Sequence, residues 1–445
     1  MMAGMKAFRL VLPVVTALLA AASFAETVKD REGAVRNDRA AMEKDARWIY
    51  NDFQRGFAEA RRSGKPLLVV LRCVPCLSCM GIDASVLTKP ELAPWLDQFV
   101  CVRVMNANAL DLALFQFDYD LSFSTLFFNA DGTIYGRYGS WTHQKNAQDT
   151  DTASFLRAVE GALAIHRGYP ANKPSLAGKQ GGPVPFKTPL EFPALAGKYQ
   201  RDLDWDGKVV QSCVHCHQLG DAFRASFRDA GKAIPPELIF PQPAPETIGL
   251  SLAQNEGARV ASVAPGSPAA KAGVQAGDEI VALAGQPLIS IADASWVLHR
   301  APESGALAAI VKHGDVAKSL SIDLPAGWRW KADISKRVGT WPMRAMALGG
   351  LVLEDLSDEE RDRRSIAKDA LALFVKSVGQ YGKHAAAKNA GFQKDDVIVE
   401  LDGASARTTE GEVIGQLLEQ HRPGEKVKAV VLRGTQRVEL TLPMQ

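Results

Sequence analysis

Apolar positions divide the chain into blocks of different period. Residues 10–22 form one continuous apolar run behind Lys6 and Arg9, closed by the small residues of Ser23-Phe24-Ala25. Trp48, Phe53, Phe57 and Ala60 recur at helical spacing up to Ser63-Gly64, which predicts a helix over 48–62. Short runs fit for buried strands follow at Pro66-Leu67-Leu68-Val69-Val70-Leu71, at 99–104 and at 125–129. The last of these turns at Ala130-Asp131-Gly132, and an amphipathic helix is predicted over 152–166. From Gly168 to Gly197 the periodicity stops. Six prolines and five glycines there predict an extended linker over 169–197. A small region, 198–245, carries one helical stretch over 222–230, ended by Pro235-Pro236. Beyond it, strand-like runs alternate with glycine turns and single helices twice over, in 246–325 and 340–445. The expected fold class is therefore multidomain, α/β in the first domain (45–168) and α+β in the last two.

Composition adds limits. A chain of 445 residues has room for about three domains at ~100–200 residues each. Lysines and arginines exceed acidic residues by only two, so there is no basic field of the kind nucleic acids require. The N-terminal pattern is that of a secretory signal peptide, 1–25, cleaved after Ala25. Its run of about 13 apolar residues is short of the ~20 that span a bilayer. No other stretch is long and apolar enough, so no membrane span is expected after cleavage. The expected location is periplasmic or otherwise exported, where disulfides persist.

Cysteine placement points to chemistry. Cys73, Cys76 and Cys79 crowd into seven residues, Cys101 lies in a strand-like run, and Cys213 and Cys216 make a second pair. In Cys213-Val214-His215-Cys216-His217, two thiols and a histidine directly after the second have the spacing of covalent c-type haem attachment. Haem c is the expected cofactor, with Cys213 and Cys216 as its thioether attachment points and His217 as the axial metal ligand. A plain or redox disulfide is the alternative; a zinc site would want further ligands than His215 and His217. No Met lies between His217 and Met343, so Met343, Met346 or His166 would have to supply a sixth ligand. The Cys76–Cys79 pair is followed by Met80 and is not of this haem type. Cys101 reads as a small buried hydrophobe.

Lys65-Pro66-Leu67-Leu68-Val69-Val70 followed by Cys76-Leu77-Ser78-Cys79 resembles the thioredoxin superfamily over the whole first domain. The resemblance implies that Cys76 is the attacking thiol at a helix start and Cys79 the resolving one. It departs from the family at Val70, where an acidic residue is usual, and at Ser124, which stands for the customary cis-proline. With Cys73 as a third sulfur, thiolate binding of a soft metal such as Cu(I) is a further alternative.

Thr247-Ile248-Gly249-Leu250-Ser251-Leu252, then Pro265-Gly266-Ser267-Pro268-Ala269-Ala270-Lys271-Ala272-Gly273-Val274 and Ala276-Gly277-Asp278-Glu279-Ile280, is similar to the PDZ domains of exported HtrA-type proteases. A second copy resembles it at Gly349-Gly350-Leu351 and at Asp395-Asp396-Val397-Ile398. The resemblance implies that Ile248, Gly249 and Leu250, and Gly349, Gly350 and Leu351, bind the C-termini of proteins or peptides by strand addition. The groove helices are expected over 292–299 and 412–421. Between them, Ser357 to Arg364 reads as a solvated insertion helix. No Gly-Asn-Ser-Gly-Gly nucleophile segment occurs, so a protease is not expected. The composite expectation is an exported redox protein, acting as thiol-disulfide oxidoreductase or electron carrier, that docks a partner polypeptide and a redox partner protein. The rivals are a non-catalytic PDZ scaffold of the cell envelope with structural disulfides, and a copper- or haem-handling protein.

Overall fold

The strand Leu67–Arg72 (β2) is buried along its whole length, with a hydrophobic core on each of its faces. Leu68 and Val70 point to one side and Leu67, Val69 and Leu71 to the other, so alternate residues feed two separate cores. The computed structural model describes residues 30–72, 86–87, 89–120, 123–139, 152–253, 256–335 and 337–445. The signal-like segment and Cys73, Cys76 and Cys79 lie outside the described residues.

β2 is the middle of a five-stranded sheet. The others are Trp48–Tyr50 (β1), Val100–Val104 (β3), Phe123–Phe128 (β4) and Ile134–Tyr138 (β5), in the order β1-β3-β2-β4-β5. β1, β3 and β2 run parallel, and β4 and β5 antiparallel. The helix expected over 48–62 is a strand followed by the helix Phe53–Ser63 (α2). Asp52 decides the boundary, because its carboxylate accepts the Arg55 N–H at 2.8 Å and caps the helix there. Trp48 to Tyr50 instead pair with Cys101 to Arg103. Arg31–Met42 (α1) precedes β1, and Thr152–Arg167 (α3) lays Phe155, Val159 and Leu163 on one face of the sheet. Cys101 is fully buried, as expected, and burial pushes its thiol up to about 12. Ser124 is inside β4 opposite Leu71, not in the loop that precedes the strand.

The stretch expected as an extended linker is folded onto this domain. Leu176 enters one core, and Phe192 and Leu195 enter the other. Its prolines break helices without detaching the chain from apolar surface.

Both C-terminal repeats form compact units. The first has a hairpin of Leu250–Leu252 (β6) and Val260–Val263 (β7). It adds a sheet of Glu279–Leu283 (β8), Gln286–Pro287 (β9), Gly305–His313 (β10) and Val316–Leu324 (β11). The helix Ile291–Arg300 (α5) closes its core. The second has an antiparallel sheet of Leu351–Asp355 (β12), Leu373–Val378 (β13), Val397–Leu401 (β14), Lys426–Arg433 (β15) and Gln436–Pro443 (β16). The helices Thr340–Leu348 and Glu410–Gln420 (below, α6 and α7) pack together at one edge. The same turn recurs in both: Asp278 accepts the Gln275 N–H and Asp396 the Gln393 N–H, each at 2.9 Å. The insertion at Ser357 is not wholly solvated. Arg361 is fully buried and donates to the carbonyls of Leu356, Ala367 and Ala370, tying the insertion to β12.

The repeats are fastened to the first domain by buried charge. Asp293 of α5 accepts the Arg137 N–H of β5 at 3.0 Å and the Lys179 ammonium at 2.6 Å, with both side chains of that ion pair only 1% exposed. The Arg137 guanidinium stacks on Trp296 of α5 at 3.6 Å. α5 thus caps the outer edge of β5, an edge that would otherwise invite pairing.

Candidate functional site

The helix Cys216–Asp229 (α4) carries the second cysteine pair at its start, with Cys216 as first residue and Cys213 just ahead of it. The pair does not sit on a free-standing small domain. Asn108, buried at the exit of β3, donates to the carbonyls of Gln200 and Ser212 at 2.7 and 2.8 Å and accepts the Val214 N–H at 2.7 Å. Glu32 of α1 accepts the N–H groups of Val209 and Val210. Cys213 is 8% exposed, in a cluster with Val35, Met105, Leu203 and Val209. Its thiol is 3.6 Å from the Met105 carbonyl, and burial pushes it up to about 11.

A cavity of about 10 Å³ lies between this motif and the sheet, lined by Leu71, Arg72, Val104, Met105, Cys213 and Cys216 among others. Leu71 and Arg72 end β2, and the next residue is Cys73. Cys213 and Cys216 thus lie at the Arg72 end of β2, and Cys73, Cys76 and Cys79 follow Arg72 in the chain.

The His215 and His217 rings stack at 5.7 Å. Burial lowers the pKa of both imidazoles, and Asp120 pulls that of His217 back up. Asp120 belongs to a buried charge junction. Arg224 of α4 reaches Asp120, and Arg337 bonds both Asp118 and Asp120, at 3.0 Å to the latter. Burial first, then Asp120, raises the Asp118 carboxyl to about 6 against the pull of Arg337.

Of the residues expected to ligate beyond the motif, Met343 is fully buried in the core of the last domain and Met346 packs against it. His166 is held by the Tyr135 hydroxyl at 2.9 Å and faces the Gly64 carbonyl. The fold instead brings Met105 next to Cys213, a neighbour that no spacing rule reveals. Asn108 was also not legible as a site residue. Its signal is weak: a polar Asn-x-Asn at the end of a buried strand, where Asn often binds backbone. Among the described residues no group of three or more metal-ligating side chains converges.

The peptide-binding candidates occupy two edges. Pro245–Ile248 is a helical turn ended by Gly249 at φ +85°, and a Cβ there would lie 2.2 Å from Ser267. The Gly249 N–H is spent on the Glu246 carbonyl, not turned outward as expected. Its carbonyl accepts from Ala264, so in the antiparallel register Ser251 pairs inward with Ser262 and the amides of Leu250 and Leu252 face away from β7. In the second copy, Gly349 and Gly350 both have positive φ and both N–H groups converge on the Arg344 carbonyl. Leu351 and Leu353 present their amides to the outer edge of β12.

Residues 48–130 match a thioredoxin-like family model, and residues 259–306 and 368–444 each match a PDZ-domain model. No curated protein matches the chain. Among solved structures, HtrA-type protease AlgW with a decapeptide is 19% identical over 31% of this chain and 47% of its own, with a TM-score of 0.20. The same protease with a tripeptide is 21% identical, covering 28% and 38%, with a TM-score of 0.19. An aminopeptidase N family protein from Idiomarina loihiensis is 23% identical over 22% of this chain and 13% of that one, with a TM-score of 0.16. The matches therefore span less than half the length of these three chains. This protein is a multidomain chain built from one thioredoxin-like domain followed by two PDZ domains.

Proposed function

We propose that this is an exported dithiol relay, in which the thioredoxin-like pair Cys76–Cys79 exchanges electrons with Cys213–Cys216 and a partner polypeptide is held by the first PDZ domain. The observation that carries the reading is the shared cavity: Cys213 and Cys216 line it together with Leu71 and Arg72, which lead directly into Cys73. Export rests on the N-terminal charged and apolar pattern.

The exchange balances without a further co-reactant. The Cys76 thiolate attacks the Cys216 sulfur of an oxidised second pair, because Cys216 is the less buried of the two. The Cys213–Cys216 bond breaks, and the Cys213 thiolate leaves and takes a proton. Cys79 then attacks Cys76, forming the Cys76–Cys79 disulfide and releasing the Cys216 thiolate. Two electrons and two protons pass to the second pair. A docked partner with a dithiol or disulfide would close the cycle, and tethering it raises its effective concentration at the site.

Trapping tests the relay. In a Cys79→Ser chain the intermediate cannot resolve, and peptide mass spectrometry is expected to find a Cys76–Cys216 disulfide. Finding only Cys213–Cys216 and a free Cys76 after oxidation would sink the relay.

Haem c at Cys213, Cys216 and His217 is the second reading, supported by the motif's spacing. The space around the residues does not fit the group. Cys213 is 8% exposed and packed among Val35, Met105, Leu203 and Val209, which leaves no room for a haem edge at its sulfur. Attachment would require the motif to leave Asn108 and Met105. An absorption spectrum of protein exported with a haem-attachment machinery separates the readings: the relay expects no Soret band, and a covalent one would favour haem.

A further inference from the structure

The outer edge of β12 in the second PDZ domain is already hydrogen-bonded to a side chain. Glu410, the first residue of α7, extends its carboxylate across the groove and accepts the Leu353 N–H at 2.8 Å. By the register of β12 on β13, Glu354 faces inward, so Leu353 carries one of the amides that an added strand would need. Arg344 of α6 clamps the same carboxylate through two bonds, at 2.9 and 2.5 Å. The pair is buried, with 13% of the Arg344 and 6% of the Glu410 side chain exposed. Behind it, the Arg344 carbonyl also gathers the N–H groups of Gly349 and Gly350, which would otherwise be offered to a terminal carboxylate. One residue therefore closes both halves of the groove, its carbonyl the loop and its guanidinium the strand edge.

In the first PDZ domain the Gly249 N–H is likewise held, by the Glu246 carbonyl, but among the described residues the strand edge has no side-chain counterpart to Glu410. Its groove helix α5 begins with Ile291, buried in the core, and its one acidic residue in the first turn, Asp293, is turned away to Lys179 and Arg137. Among the described residues no side chain bonds the Leu250 or Leu252 amide.

We propose that the second PDZ groove is latched by Glu410, whose carboxylate takes the place of the carbonyl of an incoming strand, so that an extended peptide with a free C-terminal carboxylate enters only when Glu410 is displaced. This rests on the reading of the PDZ domains as peptide-docking modules. The occupant expected once the latch opens is a peptide with its own carboxylate, because Arg344 is then left as an uncompensated, half-enclosed cation at the loop.

The test uses the full-length chain. Seven-residue peptides with free C-termini are selected from a random library on the Glu410→Ala protein, and each is then titrated against wild type. The latch predicts at least tenfold tighter binding to Glu410→Ala, with an intermediate gain for Glu410→Gln, which keeps an acceptor for Leu353 but loses the charge that Arg344 holds. Amide hydrogen exchange at Leu353 should be slow in wild type, faster in the variants, and slow again with peptide. Equal affinity for wild type and variants, or no peptide selected on the variant, would overturn the latch. Should Glu410→Ala not fold, Glu410→Gln alone decides by the same readout. Peptides selected on the wild-type chain report on the first PDZ domain, so failure of docking in general is read separately from failure of the latch.

Discussion

The two PDZ domains share a fold and a turn but differ in what their groove helix does. In the first, α5 is buried on both sides, against its own core and against β5 of the thioredoxin-like domain. In the second, α7 packs on its own domain and on Ile234, Ile239 and Phe240, and sends its first carboxylate to β12. The first domain therefore has an open strand edge and a rigid attachment, and the second a closed strand edge. The second is attached elsewhere. Arg228 of α4 donates to the carbonyls of His421 and Gln445, and Arg337 joins the segment ahead of α6 to Asp118 and Asp120. One sequence pattern thus serves two jobs, and the residue at the helix start separates them: Ile291 in one, Glu410 in the other.

The sharpest way to break that contrast is to cut the attachment of α5. Lys179→Met removes one partner of a fully buried ion pair and is expected to cost about 3–5 kcal/mol. Denaturant unfolding should show it, with the first PDZ domain and β5 losing amide protection together. Loss confined to one of the two would mean that they are not one cooperative unit.

A smaller effect is expected at the attachment of the second domain. Arg228→Ala deletes charge-assisted bonds to two backbone carbonyls, at a cost of about 1–3 kcal/mol. Its signature is faster exchange around His421 with Leu353 unchanged, because the latch belongs to the domain itself.

The smallest is a pH effect at the charge junction. Asp118 has its carboxyl raised to about 6, from an ordinary value of 3.8, first by burial. At pH 4 to 6 the folded state then binds more protons than the unfolded one, so this group's contribution to stability falls as pH rises through that window. Wild type should gain on going from pH 7 to pH 4 by about 1–2 kcal/mol more than Asp118→Asn, in thermal or denaturant unfolding. Parallel pH profiles would remove Asp118 from the junction's titration.

Much of this architecture is legible along the chain. The runs at Leu67–Arg72 and Val100–Val104 announce strands because a strand covered on both faces is apolar at nearly every position, with Arg72 and Arg103 the charged exceptions. The glycine turns announce the two repeats because Gly249 and Gly349 need positive φ. The misread elements share a cause. The helix assigned from Trp48 failed because spacing at Trp48, Phe53 and Phe57 satisfies two periods, and a cap at Asp52 chose between them. The proline-rich stretch read as linker because local backbone rules say nothing about Leu176, Phe192 and Leu195 finding distant apolar surface.

What the sequence alone determined is the set of parts: a thioredoxin-like domain, two PDZ domains, and two cysteine pairs at fixed spacing. Those follow from local interactions, such as periodicity, capping and turn geometry, that act over a few residues. Tertiary structure decided how the parts are used. It brought Cys213 and Cys216 to the end of β2, set Asn108 under them, buried α5 against β5, and turned Glu410 onto Leu353. Each of these depends on a hydrogen bond or ion pair between residues dozens to hundreds apart, whose partners carry no mark of one another in the chain.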